Sequence, residues 1–213
     1  MESILIFGDS NTWGLVPGSY KEVKPRRYSK DIRWTGILQQ KCNDLKIIDD
    51  GLCGRTTIFE DKYRKGRKGV DSLPTVLKKA WPIDGAVIML GTNDCKWAYE
   101  ANADKIGTGI EACLDEIEKY VIRDKILLIS PIHLGDDVWR EDKDPEFNKS
   151  SIEESKKLKN VYKKIAQTRG IQFLAASDYA NPDARDEEHL NEEGHKNLAR
   201  IVYQKFLEMN FII

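Results

Sequence analysis

The sequence has 213 residues, of which 40% are hydrophobic and 32% charged, and these values predict one globular domain over residues 1–213. Its 34 basic and 35 acidic side chains give a net charge of −1, so no overall field favours nucleic acid or a membrane surface as a partner. Its four cysteines lie far apart without C-x-x-C spacing, which indicates neither a zinc site nor a redox pair.

Short apolar runs alternate with longer amphipathic stretches along the chain. The runs predict strands at 4–7, 45–48, 86–90, 126–129 and 171–174. The stretches predict helices near 34–42 and over 73–80, 106–121, 152–168 and 192–207, the last capped by Asn191. This alternation indicates an α/β fold, in which a mainly parallel sheet of about five strands has helices on both faces.

The first strand ends in Gly8-Asp9-Ser10-Asn11. Such a turn places the Ser10 hydroxyl at the carboxyl edge of the sheet, where open α/β sheets build their sites. The polar stretches 14–31 and 135–151 follow strands directly or nearly so, and we expect them to rim the same edge.

A serine hydroxyl attacks only when a base removes its proton, and histidine has the pKa for that task. The chain has three histidines, His133, His189 and His195. His189 follows Asp186 by three residues, so this carboxylate can reach the far ring nitrogen and fix the tautomer. We expect His133 and His195 to be structural.

An oxyanion formed during attack on an ester needs hydrogen-bond donors. The Ser10 amide, the Asn93 side chain after the third strand and the Gly54 amide after the second are the candidates. Trp13 and Trp97 lie a few residues beyond Ser10 and Asn93 and are candidates for an apolar wall around the substrate.

Four segments carry a family resemblance: Gly8-Asp9-Ser10-Asn11, Gly54, Gly91-Thr92-Asn93-Asp94 and Asp186-x-x-His189. In order and spacing they resemble the four sequence blocks of the SGNH (GDSL-type) hydrolases. The stretches 33–38 and 55–57 further resemble the arylesterase and acyltransferase branch. The chain departs from the pattern at Asn11, where leucine is commoner, and at Glu187 and Glu188, two extra carboxylates that can raise the pKa of the base.

The resemblance implies a flavodoxin-like three-layer α/β/α sandwich and a serine esterase without metal or cofactor. It assigns Ser10 as nucleophile, His189 as base, Asp186 as the acid that orients it, and Ser10, Gly54 and Asn93 as oxyanion donors. The expected substrate is a small or short-acyl aryl, alkyl or acetylated-sugar ester, with acyl transfer to a second alcohol also open. The branch resemblance favours a homo-oligomer by analogy.

Other functions remain open from the sequence. A lysophospholipase or thioesterase would use the same residues. A metal-dependent phosphoesterase would take its ligands from Asp9, Asn93, Asp94 and His189. A binding module without catalysis would hold phosphate at the Gly8–Asn11 turn. The N-terminus lacks a secretory signal pattern and no apolar run has the length of a membrane span, so we expect a cytoplasmic protein without membrane insertion.

Overall fold

A computed structural model describes residues 1–212. Its strands are β1 (Glu2–Gly8), β2 (Leu45–Gly51), β3 (Gly85–Met89), β4 (Ile126–Ser130) and β5 (Gln172–Ala175). Its α-helices are α1 (Ser10–Trp13), α2 (Trp34–Lys41), α3 (Gly69–Ala80), α4 (Ala103–Ile117), α5 (Lys149–Arg169) and α6 (Glu192–Glu208). Every predicted strand and helix is present, with ends that differ by a few residues. The single-turn helix α1 was not predicted, because four residues are too few to show a periodic pattern.

All five strands are parallel and lie in the order β2-β1-β3-β4-β5, which confirms the predicted parallel sheet. The register pairs Gly8 with Gly51 on one side and with Met89 on the other. Strands β1, β2 and β3 therefore end at one edge. The strand order reverses between β1 and β3, and the crevice outside such a reversal is where ligands bind in open α/β sheets.

Helices cover both faces of the sheet, giving three layers. Ile4 and Ile6 of β1 belong to the core under α2 and α6, whereas Leu5 and Phe7 belong to the core under α3, α4 and α5. This alternation follows from the two-residue period of a strand. Because both faces are buried, the strand reads as a continuous apolar run, as parallel strands do.

Asparagine side chains cap three of the long helices. Asn102 Oδ1 accepts from the Lys105 amide at 2.9 Å and begins α4. Asn148 begins α5, and Asn191 Oδ1 accepts from the Gly194 amide at 2.9 Å, which confirms the predicted cap of α6. Each cap satisfies one of the amides left without a partner in the first turn. Among residues 1–212 no helix has both the length and the apolar character to cross a membrane.

Helix α2 begins without a side-chain cap from its own segment. Instead, Nδ1 of the buried His195 on α6 accepts from the Trp34 amide at 3.3 Å, and the Tyr28 ring packs edge-on against the imidazole at 5.3 Å. Burial, together with the positive charges of His189 and Arg33, lowers the pKa of His195 to about 3. Protonation would remove the acceptor and put a positive charge at a helix N-terminus, where it is unfavourable.

Replacement of His195 by Gln should make stability less sensitive to acid. The unfolded wild type binds a proton at His195 near pH 6.5 whereas the folded state does not, so this group removes stability as the pH falls from about 6.5 towards 3. In urea unfolding, the stability advantage of wild type over His195→Gln should shrink by about 2 kcal/mol between pH 7 and pH 5. Equal pH dependence of the two proteins would contradict this account.

Candidate active site

Ser10 is the first residue of α1, directly beyond the carboxyl end of β1. Asp9 caps the helix, because its Oδ1 accepts from the Asn11 amide at 2.9 Å. A Cβ at Gly8 would lie 2.1 Å from Oγ1 of Thr12. Only glycine therefore allows α1 to fold back this closely over the strand end and hold Ser10 at the edge of the sheet.

The imidazole of His189 connects Ser10 to Asp186. Its Nε2 lies 2.9 Å from Oγ of Ser10 and its Nδ1 lies 2.9 Å from Oδ2 of Asp186, and all three residues are buried. A carboxylate accepts a proton on Nδ1, which leaves Nε2 as the acceptor for the serine proton. The structure thus brings the three predicted residues into the arrangement of a nucleophile, a base and an orienting acid.

Backbone amides hold the Asp186 carboxylate in place. Its Oδ1 accepts from the amides of Glu188 at 3.1 Å and His189 at 3.0 Å, and its Oδ2 accepts from the amide of Gly18 at 2.6 Å. Burial works against the charged form, but the hydrogen bonds and charge of His189 and these amides outweigh it and lower the pKa of Asp186 to about 2. Asp186 is therefore charged at neutral pH.

Asn11 joins the serine turn to the histidine segment, a role that sequence reasoning missed. Its Nδ2 donates to the Glu188 carbonyl at 3.3 Å, and its Oδ1 accepts from the Leu190 amide at 2.9 Å. These two bonds bracket His189 and set its distance from Ser10. Leucine, commoner at this position in the family, could make neither bond, so the departure at Asn11 was the available signal.

The three predicted oxyanion donors lie around one cavity. Ser10, Gly54 and Asn93 all line it. Gly54 has a φ of +80°, a conformation that favours glycine. Within residues 1–212 neither the Ser10 nor the Gly54 amide donates to a protein acceptor, so both are free for a ligand. Asn93 Nδ2 uses one proton on the Arg55 carbonyl at 3.1 Å and keeps the other.

The side chains of Asp94 and Arg55 tie together the loops that carry Gly54 and Asn93. The Asp94 carboxylate accepts from the Thr57 amide at 2.9 and 3.1 Å. The buried Arg55 guanidinium donates to the Gly8 carbonyl at 2.9 Å and the Asp50 carbonyl at 2.6 Å. The donors on three strand ends are therefore fixed relative to one another, as preorganised stabilisation of a transition state requires.

Glu188 places a second carboxylate beside the imidazole. Its Oε2 lies 3.6 Å from Nδ1 of His189, and both side chains are buried. Burial raises the pKa of Glu188 to about 7. Burial alone would lower the pKa of His189, but the charge of Glu188 and the hydrogen bond to Asp186 raise it to about 9. Of the two extra carboxylates, Glu188 thus contributes to the raised pKa of His189 in the expected direction.

The cavity beside Ser10, called the Ser10 cavity below, has a volume of about 270 Å³. Both polar loops contribute to it, as expected. Leu15 and Tyr20 come from 14–31, and Asp144 and Glu146 from 135–151. Tyr20 Oη donates to the Lys143 carbonyl at 2.6 Å and joins the two loops. Charged side chains therefore line much of the space in front of the serine.

Trp13 and Trp97, the candidates for an apolar wall around the substrate, are not among the residues that line the Ser10 cavity itself. Trp97 lines a neighbouring cavity of about 310 Å³. Trp13 lines a larger cavity of about 940 Å³ with Arg26 and Arg185. Ser10, Asp186 and His189 do not line this cavity. The reason is geometric, because Trp13 is the last residue of α1 and Trp97 follows a further turn of chain after Asn93.

The remaining candidate residues have other environments. His195 caps α2, as described, and partial burial together with the charges of Lys156 and Lys159 lowers the pKa of His133. The carboxylates of Asp9 and Asp94 accept from turn amides, and burial raises their pKa values to about 6 and about 7. Among residues 1–212 no group of three or more His, Cys, Asp or Glu side chains is arranged to hold a metal ion.

Comparisons with known proteins give a family match and similar solved structures. Residues 6–196 match the GDSL-like lipase/acylhydrolase family. The native structure of an aryl esterase from M. smegmatis is 26% identical, with a TM-score of 0.89 over 98% of this chain and 100% of that one. A carbohydrate acetylesterase from Sinorhizobium meliloti is 29% identical, with a TM-score of 0.88 over the same shares. A comparison with curated protein sequences gives no match.

The raised pKa of His189 predicts activity that grows with pH. The imidazole accepts the serine proton only when neutral, so kcat/KM for p-nitrophenyl acetate should rise with pH to a midpoint near 9. Glu188→Gln removes one negative neighbour, so the midpoint should fall by on the order of one pH unit.

Two controls isolate this effect. Glu193→Gln changes the same type of side chain at an exposed position of α6 and should leave the midpoint unchanged. Ser10→Ala measures spontaneous ester hydrolysis, which must be subtracted at alkaline pH. A wild-type midpoint near 6.5, or one that Glu188→Gln does not move, would show that Glu188 does not act on His189.

Proposed function

The chain belongs to the GDSL-like lipase/acylhydrolase family and is a carboxylic ester hydrolase, and we propose that it cleaves small, short-acyl esters through an acyl-enzyme on Ser10. The observation that carries the proposal is the pair of 2.9 Å contacts that His189 makes with Ser10 and Asp186. A serine hydroxyl hydrogen-bonded to an imidazole that a carboxylate orients is the arrangement that activates an oxygen nucleophile.

The reaction begins when Oγ of Ser10 attacks the ester carbonyl carbon and its proton passes to Nε2 of His189. The oxyanion is stabilised by the amides of Ser10 and Gly54 and by Nδ2 of Asn93, and Asp186 stabilises the imidazolium. When the tetrahedral intermediate collapses, the bond to the alcohol breaks and Nε2 returns the proton to the leaving oxygen. An acyl group then remains on Ser10.

Water completes the cycle by the same steps. His189 takes a proton from water, the hydroxide attacks the acyl carbon, and Oγ of Ser10 leaves with the proton that Nε2 returns. A second alcohol that binds before water would take its place and receive the acyl group. Hydrolysis and acyl transfer therefore need the same residues, and the lifetime of the acyl-enzyme against water decides between them.

The size and lining of the Ser10 cavity favour a short acyl group. Its volume is about 270 Å³, and charged side chains, among them Lys96, Asp144 and Glu188, line it. A methylene group gains about 0.8 kcal/mol on burial among apolar neighbours, and beside buried charges this gain is lost. An acetyl group fits these walls better than the chain of a lysophospholipid or a long-acyl thioester.

Two functions of other classes are disfavoured by contacts at the serine turn. The Asp9 and Asp94 carboxylates, candidate ligands for a metal-dependent phosphoesterase, already accept from the Asn11 and Thr57 amides. A phosphate-holding turn needs a helix N-terminus free for an anion, whereas α1 has four residues and Asp9 occupies its N-terminus.

Ser10→Ala should lower kcat/KM for p-nitrophenyl acetate by at least about 10³-fold, because the nucleophile is lost. His189→Ala should have a similar effect, and a fluorophosphonate should label wild type but not Ser10→Ala. Ser130→Ala is the matched control, because Ser130 is also a buried serine at the carboxyl end of a parallel strand. Activity retained by Ser10→Ala, or lost equally by Ser130→Ala, would exclude the mechanism.

Acyl-chain length should decide the substrate class. Across p-nitrophenyl esters from acetate to octanoate, kcat/KM should be highest for acetate or propionate and should fall by at least about tenfold by octanoate, because the added methylenes meet charged walls. The rate for each ester is corrected with Ser10→Ala. A rise of kcat/KM with chain length would favour the lysophospholipase or thioesterase alternative instead.

A further inference from the structure

Two acidic side chains that line the Ser10 cavity, Asp144 and Glu188, have no lysine or arginine partner among residues 1–212. They are only 7% and 3% exposed. Oδ1 of Asp144 accepts from the Glu146 amide at 3.0 Å, and Oε2 of Glu188 lies 3.6 Å from Nδ1 of His189, beyond hydrogen-bond distance. Buried carboxylates are seldom left without a cation or several donors. Both therefore have capacity to bind a ligand.

The two basic side chains that line the cavity, Arg64 and Lys96, are already paired with other carboxylates. The Lys96 ammonium pairs with the Glu146 carboxylate, which also accepts from Nη2 of Arg64 at 3.1 Å. Arg64 Nε in turn donates to Oδ2 of Asp61 at 2.7 Å. An anionic ligand would have to compete with Glu146 and Asp61 for both cations. The charge left over in the cavity is the negative charge of the two unpaired carboxylates.

Tyr20 adds an aromatic ring to the same cavity. Its ring centre lies 6.1 Å from that of His189, and its Oη donates to the Lys143 carbonyl at 2.6 Å, which holds the ring in place. Burial and the negative charges of Asp144 and Glu188 raise the pKa of the Tyr20 hydroxyl, so both carboxylates act on the space beside this ring. Aromatic rings attract ammonium groups through their negative faces, and carboxylates attract them through charge.

We infer that the Ser10 cavity binds an ammonium group carried by the alcohol of the ester, held by Asp144, Glu188 and the ring of Tyr20. This inference rests on the proposed function and specifies the alcohol part of its substrate. The leaving oxygen must reach Nε2 of His189 to receive its proton, so the alcohol lies on the side of the cavity that His189 forms. The Glu188 carboxylate lies on this side too, so an ammonium group a few bonds beyond the ester oxygen can reach it.

Other partners match the two carboxylates less well. A neutral alkyl or aryl alcohol would cover them without supplying a donor or a charge, which is costly where water is excluded. An anionic alcohol would be repelled by both. Lys21 is the nearest cation of the chain to the Tyr20 ring, at 5.6 Å from its centre, but it does not line the cavity and its ammonium donates to the Asp142 carbonyl.

The test compares two acetate esters of the same shape. Acetylcholine and 3,3-dimethylbutyl acetate differ in one atom, nitrogen in place of carbon, and therefore in one positive charge. At about pH 8.5, where Glu188 is charged, kcat/KM of the wild type should be at least about tenfold higher for acetylcholine than for the neutral ester. The readout is released acetate, and the rate for each ester is corrected with Ser10→Ala.

Asp144→Asn and Glu188→Gln keep the shape of the side chains and should each lower this ratio by about three- to tenfold. Because the ratio is taken within one protein, effects of a variant on catalysis itself cancel. Asp137→Asn is the matched control, since it removes the same charge from an exposed position of the 135–151 loop outside the cavity, and it should leave the ratio unchanged. One ratio shared by wild type, Asp144→Asn and Glu188→Gln would overturn the inference, as would an equal decrease in Asp137→Asn.

Binding of choline separates this inference from the proposed function. In calorimetry, Ser10→Ala should bind choline, and the double variant Ser10→Ala with Asp144→Asn should bind it at least about fivefold more weakly. If ester hydrolysis did not depend on Ser10 but choline bound in this way, the mechanism would fall and the ammonium site would stand. If hydrolysis depended on Ser10 but both proteins bound choline equally, or neither bound it, the mechanism would stand and the ammonium site would be wrong.

Discussion

The register of β1 between β2 and β3 is the constraint on which the site depends. Gly8 pairs with Gly51 and with Met89, so three parallel strands end together. The segments that follow them carry Ser10, Gly54 and Asn93. Parallel strands need crossover connections of a dozen or more residues, and this connectivity is what brings groups so far apart in the chain to one edge.

The site also buries several ionisable side chains. Asp9, Asp94, Asp186, Glu188 and His189 are all buried beside the serine. A buried charge is tolerated where hydrogen bonds and opposite charges compensate it. Asp186 receives three amides and an imidazole and so stays charged, whereas burial leaves Glu188 with a raised pKa. The pKa of His189 is therefore raised both by the charge of Glu188 and by the hydrogen bond and charge of Asp186.

The loops 14–31 and 135–151 add to the site what the strand ends do not. Strand ends place Ser10 and the proposed oxyanion donors Gly54 and Asn93 at one edge of the sheet. Charged side chains, among them Lys96, Asp144 and Glu188, line the Ser10 cavity. One fold can accept different substrates when the loops on its scaffold differ in length and charge.

Apolar periodicity is a local property, so the sequence was sufficient to predict which segments along the chain form strands and helices. It also identified Ser10, Asn93, Asp186 and His189 as candidate site residues, because their motifs are short and contiguous. The roles of Asn11 and Arg55 could be seen only in the folded protein, since each forms hydrogen bonds with groups distant in the chain. The positions of Trp13 and Trp97 were likewise beyond local pattern, because the direction of a side chain at a strand end depends on the turn that follows. The ion pairs of Glu146 with Lys96 and Arg64 join three separate loops, and only long-range folding brings such charges together.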